Sequence, residues 1–206
     1  MTDKNYSRNV FINCPFDDEY QQLFYAMIFT VYNCGYFPRC AMEIEDGGET
    51  RISKIFNIIS ECKFGVHDIS RTELSQDNDL PRFNMPLELG MYLGAKRYGD
   101  KKQKLKTCLV LDKEQYRYHI YISDIAGQDI KSHNNDPLAL IPIVRNWLRN
   151  QSGRTTIIGG AEICQRYEDF VGVLPQLCEE LQLTIDELIF NDYRTIIEEW
   201  MKANYQ

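Results

Sequence analysis

The sequence predicts a three-layer α/β fold, a parallel β-sheet with helices on both faces, followed by an appended C-terminal helical region. In the first half of the chain, short apolar runs alternate with segments of helical periodicity, an order typical of parallel sheets. The chain has 206 residues, of which 44% are apolar and 26% charged, enough to bury a substantial core. From about residue 137 the patterns are helical. We therefore divide the chain into an α/β domain, residues 1–136, and a helical extension packed on it, residues 137–206.

Four apolar runs account for the predicted strands. The first, residues 9–14, stops at Pro15, as expected for a buried parallel strand. Residues 37–44, 64–69 and 107–112 have the same character. Helices are predicted between them, with acidic residues or proline at their starts, glycine at their ends and apolar residues at helical spacing: 17–35, around 52–62, and 85–99. A polar loop, Ser70–Asn84, precedes the last of these helices.

The second half of the chain has a less regular pattern. Residues 116–125 contain a strand or a short helix, and the alternation in residues 116–121 favours a half-buried strand. Residues 137–150 form an amphipathic helix, and residues 161–205 are rich in helix signals. An apolar stripe at helical spacing indicates either core packing or a contact between copies of the chain: Phe170, Leu174, Leu177, Cys178 and Leu181.

Composition excludes several classes of function. With 23 basic and 30 acidic residues the net charge is −7, so the basic surface of a general nucleic-acid binder is not expected. No apolar run reaches the roughly 20 residues that span a bilayer, and no signal-peptide core is present. We therefore expect a cytoplasmic protein without a membrane partner. The seven cysteines lack CxxC spacing and the three histidines lack ligand spacing, which predicts reduced thiols, no metal and no cofactor.

The chemistry is expected in the loops that follow the strands, because ligands of parallel sheets bind beyond the carboxyl ends of the strands. These loops are residues 13–18, 45–51 and 68–88, and none contains a glycine-rich phosphate cradle. Asp68 ends a strand that is otherwise apolar, where it either faces the ligand crevice or bonds a neighbouring loop. Glu88 is predicted in the first turn of a helix, where acidic residues are common, but its apolar neighbours indicate partial desolvation. A carboxylate in such a place can attack an anomeric carbon or stabilise an oxocarbenium-like cation.

Two stretches resemble known families. Residues 10–20, VFINCPFDDEY, resemble the opening strand and loop of Toll/interleukin-1 receptor (TIR) domains. The aspartate at the strand end (Asp68) and residues 84–95, NMPLELGMYLGA, resemble the nucleoside 2-deoxyribosyltransferases. Both families have a flavodoxin-like sheet and act at N-glycosidic bonds. The resemblance covers residues 9–112 and implies that Glu88 is the catalytic glutamate, Asp68 its strand-end partner, and residues 13–17 the nucleotide-facing loop.

The predicted site therefore has two parts. Glu88 and Asp68 are the predicted catalytic residues. The predicted substrate contacts come from the crevice loops: Asn13, Pro15, Phe16, Asp17, Asp46, Ser70, Arg82 and Asn84. Phe16 either stacks on a base or packs locally, and Arg82 either binds phosphate or is solvated.

The expected function is that of a nucleotide N-glycosidase or glycosyltransferase, with NAD as the leading substrate and with a nucleotide or nucleoside as its ligand. The resemblance implies a homo-oligomer and a context of bacterial nucleotide signalling or phage defence. The alternative is a non-catalytic nucleotide sensor or a TIR-like scaffold.

Overall fold

A computed structural model describes residues 5–73 and 81–205. Residues 74–80 of the predicted polar loop lie outside the described residues. The described chain forms a five-stranded, all-parallel sheet with helices on both faces, which confirms the predicted three-layer α/β class. The strands are β1 (Asn9–Asn13), β2 (Phe37–Arg39), β3 (Phe64–Asp68), β4 (Thr107–Asp112) and β5 (Lys131–Ser132), and their order is β2-β1-β3-β4-β5. This is the flavodoxin-like order, in which the chain changes direction across the sheet between β1 and β3.

The helices cover the two faces of this sheet. They are α1 (Gln21–Asn33), α2 (Arg51–Ser60), α3 (Asn84–Tyr98), α4 (Pro137–Ser152), α5 (Gly160–Glu180) and α6 (Phe190–Tyr205). α1 and α4 pack side by side on one face, and α2 and α3 pack on the other. Alternate residues of β1 pack against opposite helix layers. Val10 and Ile12 belong to the core beneath α1, and Phe11 belongs to the core beneath α2 and α3.

α1 is buried on nearly every side because the C-terminal helices cover the face that it turns away from the sheet. The Phe29 ring of α1 lies 5.2 Å from that of Phe170 in α5 and 5.9 Å from that of Trp200 in α6, measured between ring centroids. One apolar core therefore runs from β1 through α1 to α4, α5 and α6. The predicted boundary at residues 136 and 137 divides the chain but does not separate two hydrophobic cores.

The α5 stripe is part of this core. Phe170, Leu174 and Cys178 are buried, and Leu177 packs against the same cluster, whereas Leu181 is half exposed. Of the two alternatives left open for the stripe, core packing is the one found, so the expectation of a homo-oligomer has no surface assigned to it.

Three predicted elements differ from those observed. β2 ends at Arg39 rather than at residue 44, since the chain turns at Ala41–Glu43 and Glu43 pairs with Arg39 at 2.6 Å. The half-buried strand favoured for residues 116–121 is wrong, because Tyr116 adopts a left-handed conformation and a short 3₁₀ helix, Arg117–Ile120, follows. α3 begins at Asn84, which places Glu88 in its second turn.

Other sequence expectations concern membranes and cysteines. Within the described residues, no helix is both long enough and apolar enough to cross a bilayer. The seven cysteines are all unpaired, and five of them are buried.

Gly65, the second residue of β3, is required for the packing of α3 against the sheet. A Cβ atom at this position would lie 2.8 Å from His67 Nε2 and 2.9 Å from the Tyr92 ring. Both rings are buried and cannot withdraw, so we expect Gly65→Ala to lower the free energy of unfolding by about 1–3 kcal/mol. Gly172→Ala is the matched control in α5, where a Cβ meets nothing within 4 Å and should stabilise the helix by up to about 1 kcal/mol. Chemical denaturation of both variants tests this, and equal stability of the two would contradict it.

Candidate active site

Polar residues stand at the carboxyl ends of four neighbouring strands. Asn13 ends β1, Asp68 ends β3, Asp112 ends β4, and His133 directly follows β5. All four are buried. This edge of the sheet is where parallel α/β folds bind ligands, and each of these side chains has polar neighbours there.

Asp68 is enclosed by groups from three separate segments. Its Oδ2 accepts a hydrogen bond from the Tyr20 hydroxyl at 2.6 Å, and its Oδ1 accepts one from the Ser70 backbone N–H at 2.8 Å. His133 Nε2 lies 2.8 Å from Oδ2, within ion-pair distance but outside hydrogen-bond geometry. The Asn135 N–H donates to His133 Nδ1, so the ring carries its proton on Nε2, next to Asp68.

The electrostatics of Asp68 follow from these contacts. Burial by itself would raise the pKa of the carboxyl, but His133, Ser70 and Tyr20 together outweigh burial and lower the pKa below its ordinary value. Asp68 is therefore an ionised group with no exposed surface and with both oxygens engaged. It keeps its predicted place at the strand end, but this arrangement leaves no oxygen free to contact a ribose, so Asp68 holds loops together instead.

Asn13 joins the end of β1 to the first turn of α3. Its Nδ2 donates to the Met85 carbonyl oxygen at 2.8 Å and lies 3.0 Å from His67 Nδ1. Burial lowers the pKa of His67 to about 3, with a smaller contribution from Lys106, so the ring is neutral and can accept from Asn13. Asn13 thus positions the helix turn that precedes Glu88 rather than facing open solvent.

Glu88 has a different environment from Asp68. Only 7% of the residue is exposed, and its carboxylate accepts no hydrogen bond from residues 5–73 or 81–205. Burial raises the pKa of Glu88 to about 7, and the nearby Arg51 guanidinium opposes that rise. A carboxyl with a pKa near neutrality and no structural partner is suited to proton transfer or to nucleophilic attack.

Cys14 shows that these groups share one region. Its pKa is raised first by burial and then by the charges of Asp68, Cys40, Glu88 and Asp17. Asp68 and Glu88 thus both lie within electrostatic range of the residue that follows β1. The high pKa keeps Cys14 a thiol, which does not favour a cysteine nucleophile here.

The loop after β1 is fixed by hydrogen bonds and ion pairs, two of which reach arginines outside the loop. Asp17 accepts a hydrogen bond from the Tyr20 N–H and pairs with Arg71 at 2.8 Å and with Arg82 at 3.5 Å. The Phe16 ring packs edge-on against Phe24, with 5.4 Å between centroids. Pro15, Phe16, Asp17 and Phe24 line a pocket of about 90 Å³ together with Leu188 and Phe190.

The remaining predicted contacts do not gather around Glu88. Asp46 is exposed and accepts a hydrogen bond from the Gly48 N–H within its own turn, at 2.8 Å. Ser70 is buried beside Asp68. Asn84 is exposed at the start of α3. The structure therefore joins Asn13 to the helix that carries Glu88, whereas Asp46 bonds within its own turn and Asp17 pairs with Arg82.

Sequence reasoning missed a second cluster at the end of β4. Arg117 donates to Asp112 Oδ1 from Nε at 2.9 Å and from Nη2 at 2.6 Å, and Nη2 also donates to the Ser70 carbonyl at 2.6 Å. The Tyr121 hydroxyl donates to Asp112 Oδ2 at 2.7 Å. Asp112 could have been found by its analogy with Asp68, since each ends an apolar strand. His133 had no such signal, because β5 is too short to show a pattern.

Comparisons with known proteins add no assignment to this geometry. No family model, no curated protein and no solved structure matches the chain.

The Tyr20 hydroxyl should contribute measurably to stability. Tyr20→Phe removes one donor from the buried Asp68 carboxylate and should lower the free energy of unfolding by about 1.5–3 kcal/mol at pH 7. Because the pKa of Asp68 is below its ordinary value of 3.8, this contribution is complete above that pH and is lost as the pH falls further. Tyr98→Phe, at a side chain that is 87% exposed, is the control. Denaturant titration at pH 7 measures both, and equal stability of Tyr20→Phe and Tyr98→Phe would refute this role of Tyr20.

Proposed function

We propose that this protein cleaves or transfers at the N-glycosidic bond of a nucleotide or nucleoside, with NAD as the leading substrate, and that Glu88 is the catalytic carboxylate. One observation carries the proposal. Glu88 is buried at the carboxyl edge of the sheet, accepts no hydrogen bond from the described residues, and has its pKa raised to about 7. Burying a carboxyl without a hydrogen-bond partner costs free energy, and groups whose pKa is shifted in this way cluster at functional sites.

The reaction needs one carboxylate in its ionised form. As the bond between the anomeric carbon and the base nitrogen breaks, the base leaves with the electron pair and positive charge develops on the sugar. Glu88 either bonds to the anomeric carbon or stabilises this charge as an ion pair. Water or a second nucleoside then attacks the same carbon, loses its proton to solvent or to Glu88, and releases the enzyme.

The enclosure of Asp68 supports a substrate whose base leaves without protonation. Asp68 is ionised and has no free oxygen, so it is poorly placed to act as a general acid. The nicotinamide ring of NAD carries a positive charge and leaves as a neutral molecule, so it requires no proton from the protein. This favours NAD over substrates with a neutral base.

Asn13 and Asp68 have positioning roles in this proposal. Asn13 fixes the first turn of α3 by donating a hydrogen bond to the Met85 carbonyl. Glu88 lies in the next turn of the same helix. Asp68 fixes the loops that follow β1, β3 and β5. We further propose that the protein acts in the cytoplasm, in nucleotide signalling or phage defence, as a homo-oligomer.

Glu88→Gln tests the mechanism. The substitution keeps the size of the side chain but removes its charge and nucleophilicity, so base release should fall by about 100-fold or more. Wild-type protein and the variant are incubated with NAD, deoxynucleosides and nucleotides, and the released base is measured by chromatography. Glu168→Gln, at an exposed glutamate of α5, is the control and should keep full activity. An active Glu88→Gln protein would exclude this mechanism, and a wild-type protein that binds nucleotide without releasing base would favour the sensor.

The pKa of Glu88 should be visible in both activity and stability. With a pKa of about 7, base release should rise with pH through neutrality, because only the ionised carboxylate acts. Since this pKa is above the ordinary 4.5, the folded protein binds more protons than the unfolded chain between pH 4.5 and 7, and stability falls as the pH rises through that window.

Glu88→Gln lacks this penalty. It should be about as stable as wild type near pH 4.5 and more stable by about 1–3 kcal/mol at pH 8. Thermal unfolding of both proteins across this range measures the difference. A variant that is less stable than wild type at pH 8 would argue against a buried, unpartnered carboxylate.

A further inference from the structure

The outer edge of β4 is covered by a strand along only part of its length. β5 pairs with Leu111 and Asp112, the last two residues of β4. In the part of the chain that the structure describes, no strand pairs with the outer edge of residues 107–110. The chain between β4 and β5 forms 3₁₀ turns instead of a longer fifth strand. The sheet therefore has a gap where the first half of a full-length fifth strand would lie.

This gap is a groove with helices on both sides. It encloses about 820 Å³. Leu93 and Lys96 of α3 line one wall, and Ile143 and Trp147 of α4 line the other. Residues 128–131 close it at the carboxyl end of the sheet. The uncovered edge of β4 forms the floor.

The backbone of β4 presents hydrogen-bonding groups to this groove. The Thr107 N–H donates to the Lys63 carbonyl, and the Leu111 carbonyl accepts from the Ile69 N–H, so both residues direct their backbone groups toward β3. Successive residues of a strand direct these groups to opposite sides. Cys108 and Val110 therefore direct theirs away from β3. Because Leu111 is in register with Lys131, the Val110 carbonyl lies toward the Lys131 N–H of β5, and the groups left facing the groove are the Cys108 N–H and carbonyl and the Val110 N–H. Asp112 follows the same rule, since its carbonyl accepts from the His133 N–H on the β5 side.

We propose that this groove binds an extended peptide segment of a partner protein, which adds a strand to the sheet beside residues 107–110. A strand in this position satisfies the Cys108 N–H and carbonyl and the Val110 N–H, the basis of peptide recognition by strand addition. Its alternate side chains meet Ile143 and Trp147 on one face and Leu93 and Lys96 on the other.

Charge selects the chemistry of the peptide. Among residues 5–73 and 81–205, no carboxylate lies within ion-pair distance of Lys96, whereas Lys131 is paired with Asp129 at 2.7 Å. The partner segment therefore has apolar residues toward α4 and an acidic residue toward Lys96. Pairing with the β4 edge of a second copy does not fit, because that edge is itself recessed between α3 and α4, which would collide with the walls of the groove.

A short synthetic peptide tests the proposal directly. The probe is acetyl-Val-Glu-Val-Glu-Val-amide, and its binding to the full chain is measured by isothermal titration calorimetry. We expect saturable binding with a dissociation constant below about 1 mM. Amide hydrogen exchange locates the site, because the probe should slow exchange at Cys108 and Val110 and leave Leu109, which faces β3, unchanged. Absence of saturable binding, or protection elsewhere in the chain, would overturn the proposal.

Methylating backbone nitrogens of the probe distinguishes recognition through backbone hydrogen bonds from binding through apolar side chains alone. One version is N-methylated at the valines and the other at the glutamates. Only one of these alternating sets can face β4, so one version should bind at least tenfold more weakly and the other should bind like the parent. Equal binding of the two versions would exclude strand addition.

A charge exchange tests the role of Lys96, whose exposed side chain can be replaced without disturbing the core. Lys96→Glu should weaken binding of the glutamate probe roughly fivefold and strengthen binding of acetyl-Val-Lys-Val-Lys-Val-amide by a similar factor. Lys104→Glu, at an exposed lysine outside the groove, is the matched control and should change neither. Identical effects of the two substitutions would rule out recognition of an acidic residue by Lys96.

Discussion

The buried carboxylate of Asp68 is the interaction on which the carboxyl edge of the sheet depends. An ionised group without exposed surface is costly unless several donors surround it. Here the hydrogen bonds come from the turn before α1 and from the backbone directly after β3, and His133, after β5, places Nε2 2.8 Å from the same carboxylate. Because each contact stabilises the same charge, the three segments are held in fixed positions relative to one another. Asp68 thus fixes the loops at the carboxyl edge of the sheet, although its own side chain is fully buried.

The Arg117 cluster extends this organisation across the sheet. Ser70 belongs to both networks, since its N–H bonds Asp68 and its carbonyl accepts from Arg117. Arg71 then ties the same loop to Asp17. Ser70 and Arg71, at the start of the loop after β3, are consequently held from both sides. Glu88 remains outside these networks, and this leaves its carboxyl available.

The two predicted catalytic carboxylates illustrate how environment assigns roles. Asp68 and Glu88 are both buried, yet the pKa of Asp68 is lowered by its three partners while burial raises that of Glu88 to about 7. The lowered pKa keeps Asp68 ionised at neutral pH, whereas a pKa of about 7 lets Glu88 change its protonation there. Pairs of acids with divergent pKa values are a recurring feature of active sites. In this protein the divergence separates a positioning residue from a candidate catalytic one.

The sequence alone determined the fold class and the strands β1, β3 and β4, because strands buried on both faces must be almost continuously apolar. It also placed Asp68 at a strand end and Glu88 near a helix start, since both positions follow from local patterns. Only the tertiary structure decided what these residues contact. Tyr20 lies 48 positions from Asp68 in the chain, and His133 follows a two-residue strand, β5, that leaves no pattern to detect. Local periodicity in the sequence indicates which side of a helix or strand is buried. The partner of a buried charge comes from a distant segment of the chain, which approaches it only in the folded structure.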